Sequence, residues 1–184
     1  MNLCDIIVML WRWLKVNTNI MNIMNDIKYG YLDFNNQIHQ GVDENFSKLY
    51  KLQSPHETLE HSIGVCWDQV ELERYLFKKA NLTFKTYFIV YYDNDKCPTH
   101  TFLIYKENNN FFWFEHSWEK YRGIKSYDNE LDALKDIKEK FIKNELNSNY
   151  NSLNLCIYEY SKPKYGINVL EFYKHCEKGK NIII

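Results

Sequence analysis

The sequence has little glycine, little proline and almost no net charge. Among 184 residues there are 6 Gly and 3 Pro, which leaves little material for long flexible linkers. Lys and Arg number 23 and Asp and Glu number 24, so the formal net charge is -1. Such a chain has no basic field with which to hold a phosphate backbone, and we expect no nucleic-acid partner.

Long apolar runs are also missing, since a membrane span takes about 20 apolar residues. The first run, Leu3 to Val16, is interrupted by three charged residues and lacks a preceding basic segment of the kind that a secretory signal carries. We therefore expect no membrane partner and an amphipathic helix packed on the domain. The apolar positions of that helix are Ile6, Ile7, Leu10, Trp13 and Leu14.

The cysteines are odd in number and include no Cys-x-x-Cys pair: Cys4, Cys66, Cys97, Cys156 and Cys176. This pattern argues against a disulfide framework and a structural zinc site. A metal site built from Cys97, His100, Glu115 and His116 would lack a standard ligand pattern. We expect reduced thiols in a cytoplasmic protein, with no metal and no cofactor.

What is present is the composition of one folded domain. Hydrophobic residues make up 45% and charged residues 26% of the 22.4 kDa chain, which excludes a disordered protein. Residues 17–53 read as irregular, and their position before the first clear helix suggests that they line or cover a cleft.

Two helices are predicted near the middle of the chain. Ser54-Pro55-His56-Glu57 supplies an N-cap, a first-turn proline and a capping-box acid. The helix that follows carries Leu59 and Ile63 and ends at Gly64. A second helix is expected from about Cys66 to Ala80.

Strand-like runs follow, and their short loops predict an antiparallel arrangement. The strands are expected at Thr83–Tyr92, Thr99–Lys106, Phe111–Glu115 and Leu153–Tyr160, with turns at Asp93–Lys96 and Asn108–Asn110. Two more helices are expected, one at 128–145 with Leu131, Leu134, Ile137 and Phe141 inward, and one at Asn168–His175. Helices grouped around a small antiparallel sheet define an α+β fold.

Cys66 is the candidate nucleophile. It follows Gly64-Val65 and begins a helix, where unpaired N–H groups and the helix dipole favour a thiolate. A thiolate is the nucleophile that acyl transfer needs. Asp68 opposes this effect by charge repulsion.

His100 is the candidate base, because it opens the strand after the Cys97-Pro98-Thr99 turn. A base also needs a group that orients it. A hairpin with an even-numbered loop places Glu115 on the face of His100, whereas a three-residue loop places His116 there. The pattern leaves both open; the chemistry favours a carboxylate.

At these residues the sequence resembles the transglutaminase-like branch of the papain-like cysteine enzymes. Gly-x-Cys-Trp at the start of a helix is matched by Gly64-Val65-Cys66-Trp67, the His at the start of a strand by His100, and the acid after an aromatic run by Glu115. The resemblance covers roughly residues 55–120. The usual acid is Asp, so Glu115 departs from the pattern.

The resemblance implies a Cys-bearing helix packed on a small antiparallel sheet, and a single domain over 1–184. That domain has an N-terminal helix and irregular segment at 1–53, a catalytic core at 54–160 and a C-terminal helix at 161–184. It also implies thioester chemistry on an amide-bearing protein or peptide substrate. The alternative is an inactive binding or scaffold protein that retains the fold.

An oxyanion formed in this chemistry needs backbone or side-chain donors. The Cys66 backbone N–H is one. The candidates for a second donor or a substrate contact are Trp67, His61 and His116.

Overall fold

The computed structural model describes residues 16–93, 97–146 and 150–184. The helices are α1 (16–25), α2 (Phe46–Leu49), α3 (Pro55–His61), α4 (Cys66–Lys79), α5 (Glu130–Glu145) and α6 (Val169–Glu177). The strands are β1 (Gly30–Leu32), β2 (Ile38–Gln40), β3 (Thr83–Tyr91), β4 (Thr99–Glu107), β5 (Asn110–Glu115), β6 (Gly123–Tyr127), β7 (Leu155–Tyr160) and β8 (Lys180–Asn181). Single 3₁₀ turns lie at Glu119–Tyr121 and Ser152–Asn154.

The main sheet has six antiparallel strands in the order β6-β5-β4-β3-β7-β8, which confirms the α+β class. Along β3, Phe88 and Val90 pack with residues from the start of α4, whereas Tyr87 and Ile89 pack with the apolar side of α5. The sheet is therefore buried on both faces. This explains why its strands read as continuous apolar runs without a polar face.

The β4–β5 hairpin determines which acid lies beside His100. Asn108 and Asn109 both have positive φ, 50° and 68°, and Glu107 pairs with Asn110. The loop thus has two residues, as in type I′ hairpin turns, and the predicted three-residue turn is one residue too long. Leu103 pairs with Phe114. Because side chains alternate between the two faces of a sheet, this register places Glu115 and His100 on the same face, diagonally across the strand pair.

The predicted helix start at Ser54 is confirmed. The Ser54 hydroxyl accepts the Glu57 N–H, and the Glu57 carboxylate accepts the Ser54 N–H in return. The α3 helix ends at His61, earlier than predicted, because Ser62 adopts a left-handed conformation. The α4 helix begins at Cys66, as predicted.

The segment 17–53 was predicted as irregular, and this is wrong. It contains α1, the β1–β2 hairpin and α2. Its Asn residues are weak helix formers that hide the pattern, but Ile20, Met24 and Ile27 recur at helical spacing. These three side chains are buried in one cluster with Leu72 and Phe77 of α4, so tertiary packing outweighs local propensity.

Smaller differences concern helix and strand ends. Leu131 was expected to face inward but is exposed, and Leu153 lies exposed in a 3₁₀ turn before β7. The predicted helix at Leu3–Val16 lies outside the described residues except for Val16, and so does most of the predicted turn at Asp93–Lys96. Across the three described ranges, no helix is long and apolar enough to cross a membrane.

Candidate active site

Cys66 is the first residue of α4. Two residues earlier, Gly64 packs closely against Asp68 of the same helix. A Cβ atom on Gly64 would lie 2.8 Å from the Asp68 Cβ and 3.3 Å from Cγ2 of Thr58. Gly64 is therefore required for close packing, and the left-handed turn falls on Ser62 instead. The predicted start of the helix is correct, although the reason for the glycine differs.

Asp68 holds the loop that precedes Cys66. One carboxylate oxygen accepts the Val65 N–H at 3.0 Å. The other accepts the Gln53 N–H at 2.8 Å and the Tyr50 hydroxyl at 2.9 Å. Burial raises the pKa of Asp68 to about 7, against the lowering effect of these bonds. Asp68 therefore holds the backbone at the start of α4. Its position three residues after the N-cap could have indicated this role, because an acid there is typical of a capping box.

His100 and Glu115 form a buried pair. His100 Nε2 lies 2.8 Å from Glu115 Oε2. The second Glu115 oxygen accepts the Trp118 N–H at 2.7 Å and the Ser117 hydroxyl at 3.1 Å. Every acceptor of the carboxylate thus points at a donor, which holds its orientation.

The charges of this pair stabilise each other. Burial disfavours the imidazolium, but the charge of Glu115, hydrogen bonding to Cys66 and Glu115, and the charge of Cys66 together raise the pKa of His100 to about 10. Burial likewise disfavours the Glu115 carboxylate, yet His100 and the surrounding donors lower its pKa. The site therefore favours a protonated His100 beside an ionised Glu115.

The Cys66 thiol approaches the other side of the imidazole. Because Nε2 is engaged by Glu115, Nδ1 is the ring nitrogen left for the thiol. The Trp118 ring lies 4.8 Å from the His100 ring, centroid to centroid. The imidazole is thus held between a carboxylate, a thiol and an indole.

A cavity of about 360 Å³ opens at the thiol. Its lining comes from the loop before β1, the start of α4, β4, the segment after β5 and the end of α5: Tyr29, Cys66, Thr99, His100, Ser117, Trp118, Glu119, Arg122 and Glu145. Tyr29 supports the hypothesis that the 17–53 segment lines a cleft. No local sequence signal identified Tyr29 or Glu145 individually.

The Trp67 and His61 side chains, both predicted from the sequence, lie outside the cavity lining. The Trp67 side chain is buried in the core, stacked on Phe172 with ring centroids 4.5 Å apart. His61 lies at the partly exposed end of α3. Neither is among the described residues that line the cavity.

His116 contacts α4 instead of His100. Its Nδ1 donates to Gln69 Oε1 at 2.7 Å, and the Gln69 amide nitrogen donates to the Gly64 carbonyl at 2.8 Å. Burial, followed by the charge of Arg122, lowers the pKa of His116 to about 4, so the ring is neutral. Of the two orienting candidates, Glu115 is the one that contacts His100.

The residues of the alternative metal site do not form a ligand cluster. Cys97 is exposed and donates its thiol to the Asp93 carbonyl. Over 16–93, 97–146 and 150–184, no group of three or more His, Cys, Asp or Glu side chains is placed to hold a metal ion.

The antiparallel sheet that carries the His100–Glu115 pair, with Cys66 at the N-terminus of the neighbouring helix, is the arrangement that the resemblance in the sequence implied. The family model described as a transglutaminase-like domain matches residues 11–144, more than half of the chain. The chain therefore belongs to the transglutaminase-like domain family, and the resemblance seen in the sequence is confirmed. No curated protein matches the chain. The division into segments at 53 and 160 stays a prediction.

Proposed function

We propose that the protein is a cysteine enzyme that cleaves or transfers acyl groups at amide or peptide bonds through Cys66, His100 and Glu115. The observation that carries the proposal is the buried His100–Glu115 pair, 2.8 Å apart, next to the thiol at the start of α4. Structural histidines are common, but this histidine has a cysteine and a carboxylate as neighbours. An activated nucleophile requires this set: a nucleophile, a base beside it and a third group that orients the base.

The first step is the formation of a thiolate–imidazolium pair. His100 takes the Cys66 proton at Nδ1, and the positive charge that develops is stabilised by Glu115 at Nε2. The raised pKa of His100 favours this state over neutral imidazole. The N-terminus of α4 contributes the positive end of its dipole to the sulfur.

Transfer of the acyl group to the Cys66 sulfur then follows. The Cys66 sulfur forms a bond to the carbonyl carbon, and the π electrons of the carbonyl move to its oxygen. The Cys66 backbone N–H, which lies in the first turn of α4 and has no intrahelical acceptor, stabilises that oxyanion. When the carbon–nitrogen bond breaks, His100 gives its proton to the leaving amine. Water or a second amine then attacks the thioester carbon and gives a proton to His100, and the carbon–sulfur bond breaks to return the Cys66 thiolate.

The cavity size supports a substrate that inserts a side chain or a short stretch of chain. Ligand pockets measure about 300–1,000 Å³, and this cavity, at about 360 Å³, lies near the lower end of that range. We therefore propose an amide-bearing protein or peptide as the partner. A cytoplasmic location is part of the same proposal, supported by the free thiols of Cys66, Cys97, Cys156 and Cys176.

Alkylation with iodoacetamide at pH 6, resolved by peptide mass spectrometry, tests the proposal. Cys66 is only 6% exposed, whereas Cys97 is exposed. Accessibility alone therefore predicts faster modification of Cys97, and thiolate formation predicts faster modification of Cys66. We expect Cys66 to react first in the wild type and to lose this preference in His100→Ala.

A second experiment asks for the intermediate itself. The protein is mixed with a glutamine-containing peptide and quenched in acid, and the intact mass is searched for an acyl adduct. The adduct should be absent in Cys66→Ser. A Cys66 that reacts no faster than Cys156 at any pH and forms no adduct would favour the inactive binding protein.

A further inference from the structure

Tyr29 is held against the loop that leads into Cys66. The preceding residue, Lys28, forms a parallel bridge with Ile63. Its N–H donates to the Ser62 carbonyl at 2.9 Å, and its own carbonyl accepts the Gly64 N–H at 3.0 Å. These bonds bracket Ile63 and fix the backbone before Tyr29 relative to the start of α4.

The residue after Tyr29 is fixed as tightly. A Cβ atom on Gly30 would lie 2.3 Å from the His39 carbonyl oxygen and 2.5 Å from Cδ1 of Ile63, so only glycine allows this approach. The Tyr29 carbonyl itself accepts the Gly41 N–H at 3.1 Å. Tyr29 therefore lies at a backbone position that is anchored on both sides.

The Tyr29 side chain lines the cavity together with Cys66 and His100. It is 46% exposed as a whole, and no hydrogen-bond partner of its hydroxyl occurs among the described residues. Burial of the hydroxyl and then the negative charges of Cys66, Glu145, Asp68 and Glu115 raise the pKa of Tyr29. The phenol thus remains a neutral O–H donor next to the nucleophile.

We infer that Tyr29 is a further catalytic residue, whose hydroxyl donates a hydrogen bond to the oxyanion formed when the Cys66 sulfur attacks a carbonyl carbon. The inference rests on the proposed function. No proton is transferred from Tyr29: the sulfur–carbon bond forms, the carbonyl π pair becomes the oxyanion, and the O–H bond stays intact. When the oxyanion collapses and the leaving group departs, the hydrogen bond weakens again.

Other hydroxyls of the cavity are already engaged. The Ser117 hydroxyl donates to Glu115 Oε1, and Thr99 hydrogen-bonds with Tyr173. The Trp67 indole, one of the donors considered from the sequence, lies in the core. Among the three hydroxyls that line the cavity, Tyr29 is therefore the one available as a second donor beside the Cys66 backbone N–H.

Two reagents separate a role on the oxyanion from a role on the thiolate. Acylation of Cys66 by p-nitrophenyl acetate passes through an oxyanion and releases p-nitrophenolate. Alkylation by iodoacetamide displaces iodide and forms no oxyanion. Loss of one oxyanion donor costs about 100- to 1000-fold in evolved hydrolases, and a small activated ester should show the lower part of such an effect.

The variant is Tyr29→Phe, which removes only the hydroxyl. We expect acylation of Cys66 to fall about 100-fold, with the alkylation rate within about twofold of wild type. Tyr75→Phe is the matched control, because Tyr75 is 40% exposed and lies on α4 away from the cavity. It should change neither rate. Thermal unfolding of each variant verifies that the fold is retained.

Each other outcome overturns the inference. If Tyr29→Phe changes neither rate, the hydroxyl does not contact the oxyanion. If both rates fall by the same factor, Tyr29 acts on the thiolate alone. If wild-type Cys66 reacts with neither reagent faster than Cys156, the proposed function fails with the inference, and this result is distinguishable from the first two.

Discussion

The Nε2 atom of His100 lies 2.8 Å from the Oε2 atom of Glu115, and both side chains are buried. A buried charge pair is costly unless its remaining hydrogen-bonding atoms are satisfied. Here the second Glu115 oxygen accepts bonds from Ser117 and Trp118, and Cys66 neighbours the far side of the imidazole. The charged pair therefore lies where the imidazolium can stabilise a thiolate at Cys66.

Glu115→Gln should lower the pKa of His100 from about 10, because the charge of Glu115, the strongest of the effects that raise it, is removed while burial still disfavours the imidazolium. Histidine ring titration by NMR, with the His100 signal assigned through His100→Ala, measures this shift. The exposed Glu139→Gln serves as the control and should leave the titration unchanged. An unaltered His100 pKa in Glu115→Gln would show that the pair does not control the site.

Glu115→Gln should also change how the free energy of unfolding depends on pH. The raised pKa of His100 contributes stability that is full below pH 6.5 and is lost as pH rises through about 10. The lowered pKa of Glu115 contributes stability that is present above pH 4.5 and is lost in acid. The difference in unfolding free energy between wild type and Glu115→Gln should therefore be largest between pH 4.5 and 6.5 and should shrink toward pH 10. Urea unfolding across this range measures it.

Much of this arrangement could be predicted from the sequence because it depends on local signals. The Ser54 capping box, the start of α4 at Cys66 and the order of the central strands follow from capping and from β-branched or aromatic runs. Order and spacing then bring Cys66, His100 and Glu115 into one site. The choice between Glu115 and His116 depended on one residue of loop length, which periodicity alone could not decide.

What the sequence did not indicate depends on contacts between distant segments. Tyr29 reaches the cavity through the bridge between Lys28 and Ile63 and the close packing of Gly30 on Ile63. Gln69 has its role only because β5 places His116 beside it. Neither residue belongs to a local motif, so no spacing rule could have identified them.

Asn109→Gly should stabilise the β4–β5 hairpin that sets the position of Glu115. Asn109 has a φ of 68°, a conformation that glycine adopts without a steric penalty. Relief of the left-handed backbone strain, about 1–2 kcal/mol, exceeds the extra unfolded-state entropy of glycine, about 0.5–1 kcal/mol, so we expect a net increase of about 0.5 kcal/mol in unfolding free energy. Asn110→Gly, placed in the strand one residue later, should instead destabilise by about 0.5–1 kcal/mol. Equal effects of the two variants on urea unfolding would contradict the two-residue loop.

Asp68→Asn should destabilise the loop before Cys66. The carboxylate accepts from Val65, Gln53 and Tyr50, whereas an amide offers one acceptor oxygen and turns a donor toward the rest. A buried donor left unpaired costs about 1–3 kcal/mol, and urea unfolding should show a loss of this size. The control is Asp128→Asn, an exposed residue in the loop before α5, where the change should stay within about 0.5 kcal/mol.

The loss at Asp68 should also depend on pH. Its folded pKa of about 7 exceeds the ordinary 3.8, so the folded protein binds an extra proton between these values. Wild-type stability from this group therefore falls as pH rises from about 4 to 7. The difference in unfolding free energy between wild type and Asp68→Asn should therefore become smaller as pH rises from about 4 to 7. A gap that widens instead would mean that the ionised form is the favoured one.

Gln69→Glu tests the link between the Cys66 loop and β5. Gln69 donates to the Gly64 carbonyl and accepts from His116 Nδ1. A glutamate keeps the acceptor, brings negative charge beside the imidazole and removes the donor. We expect the pKa of His116 to rise above its value of about 4, and the unfolding free energy to fall by about 1–3 kcal/mol as the Gly64 carbonyl loses its partner.

Histidine NMR and urea unfolding measure the two effects, and the exposed Gln40→Glu should reproduce neither. If Gln69→Glu leaves the His116 titration unchanged, the amide does not bridge the helix and the strand in solution.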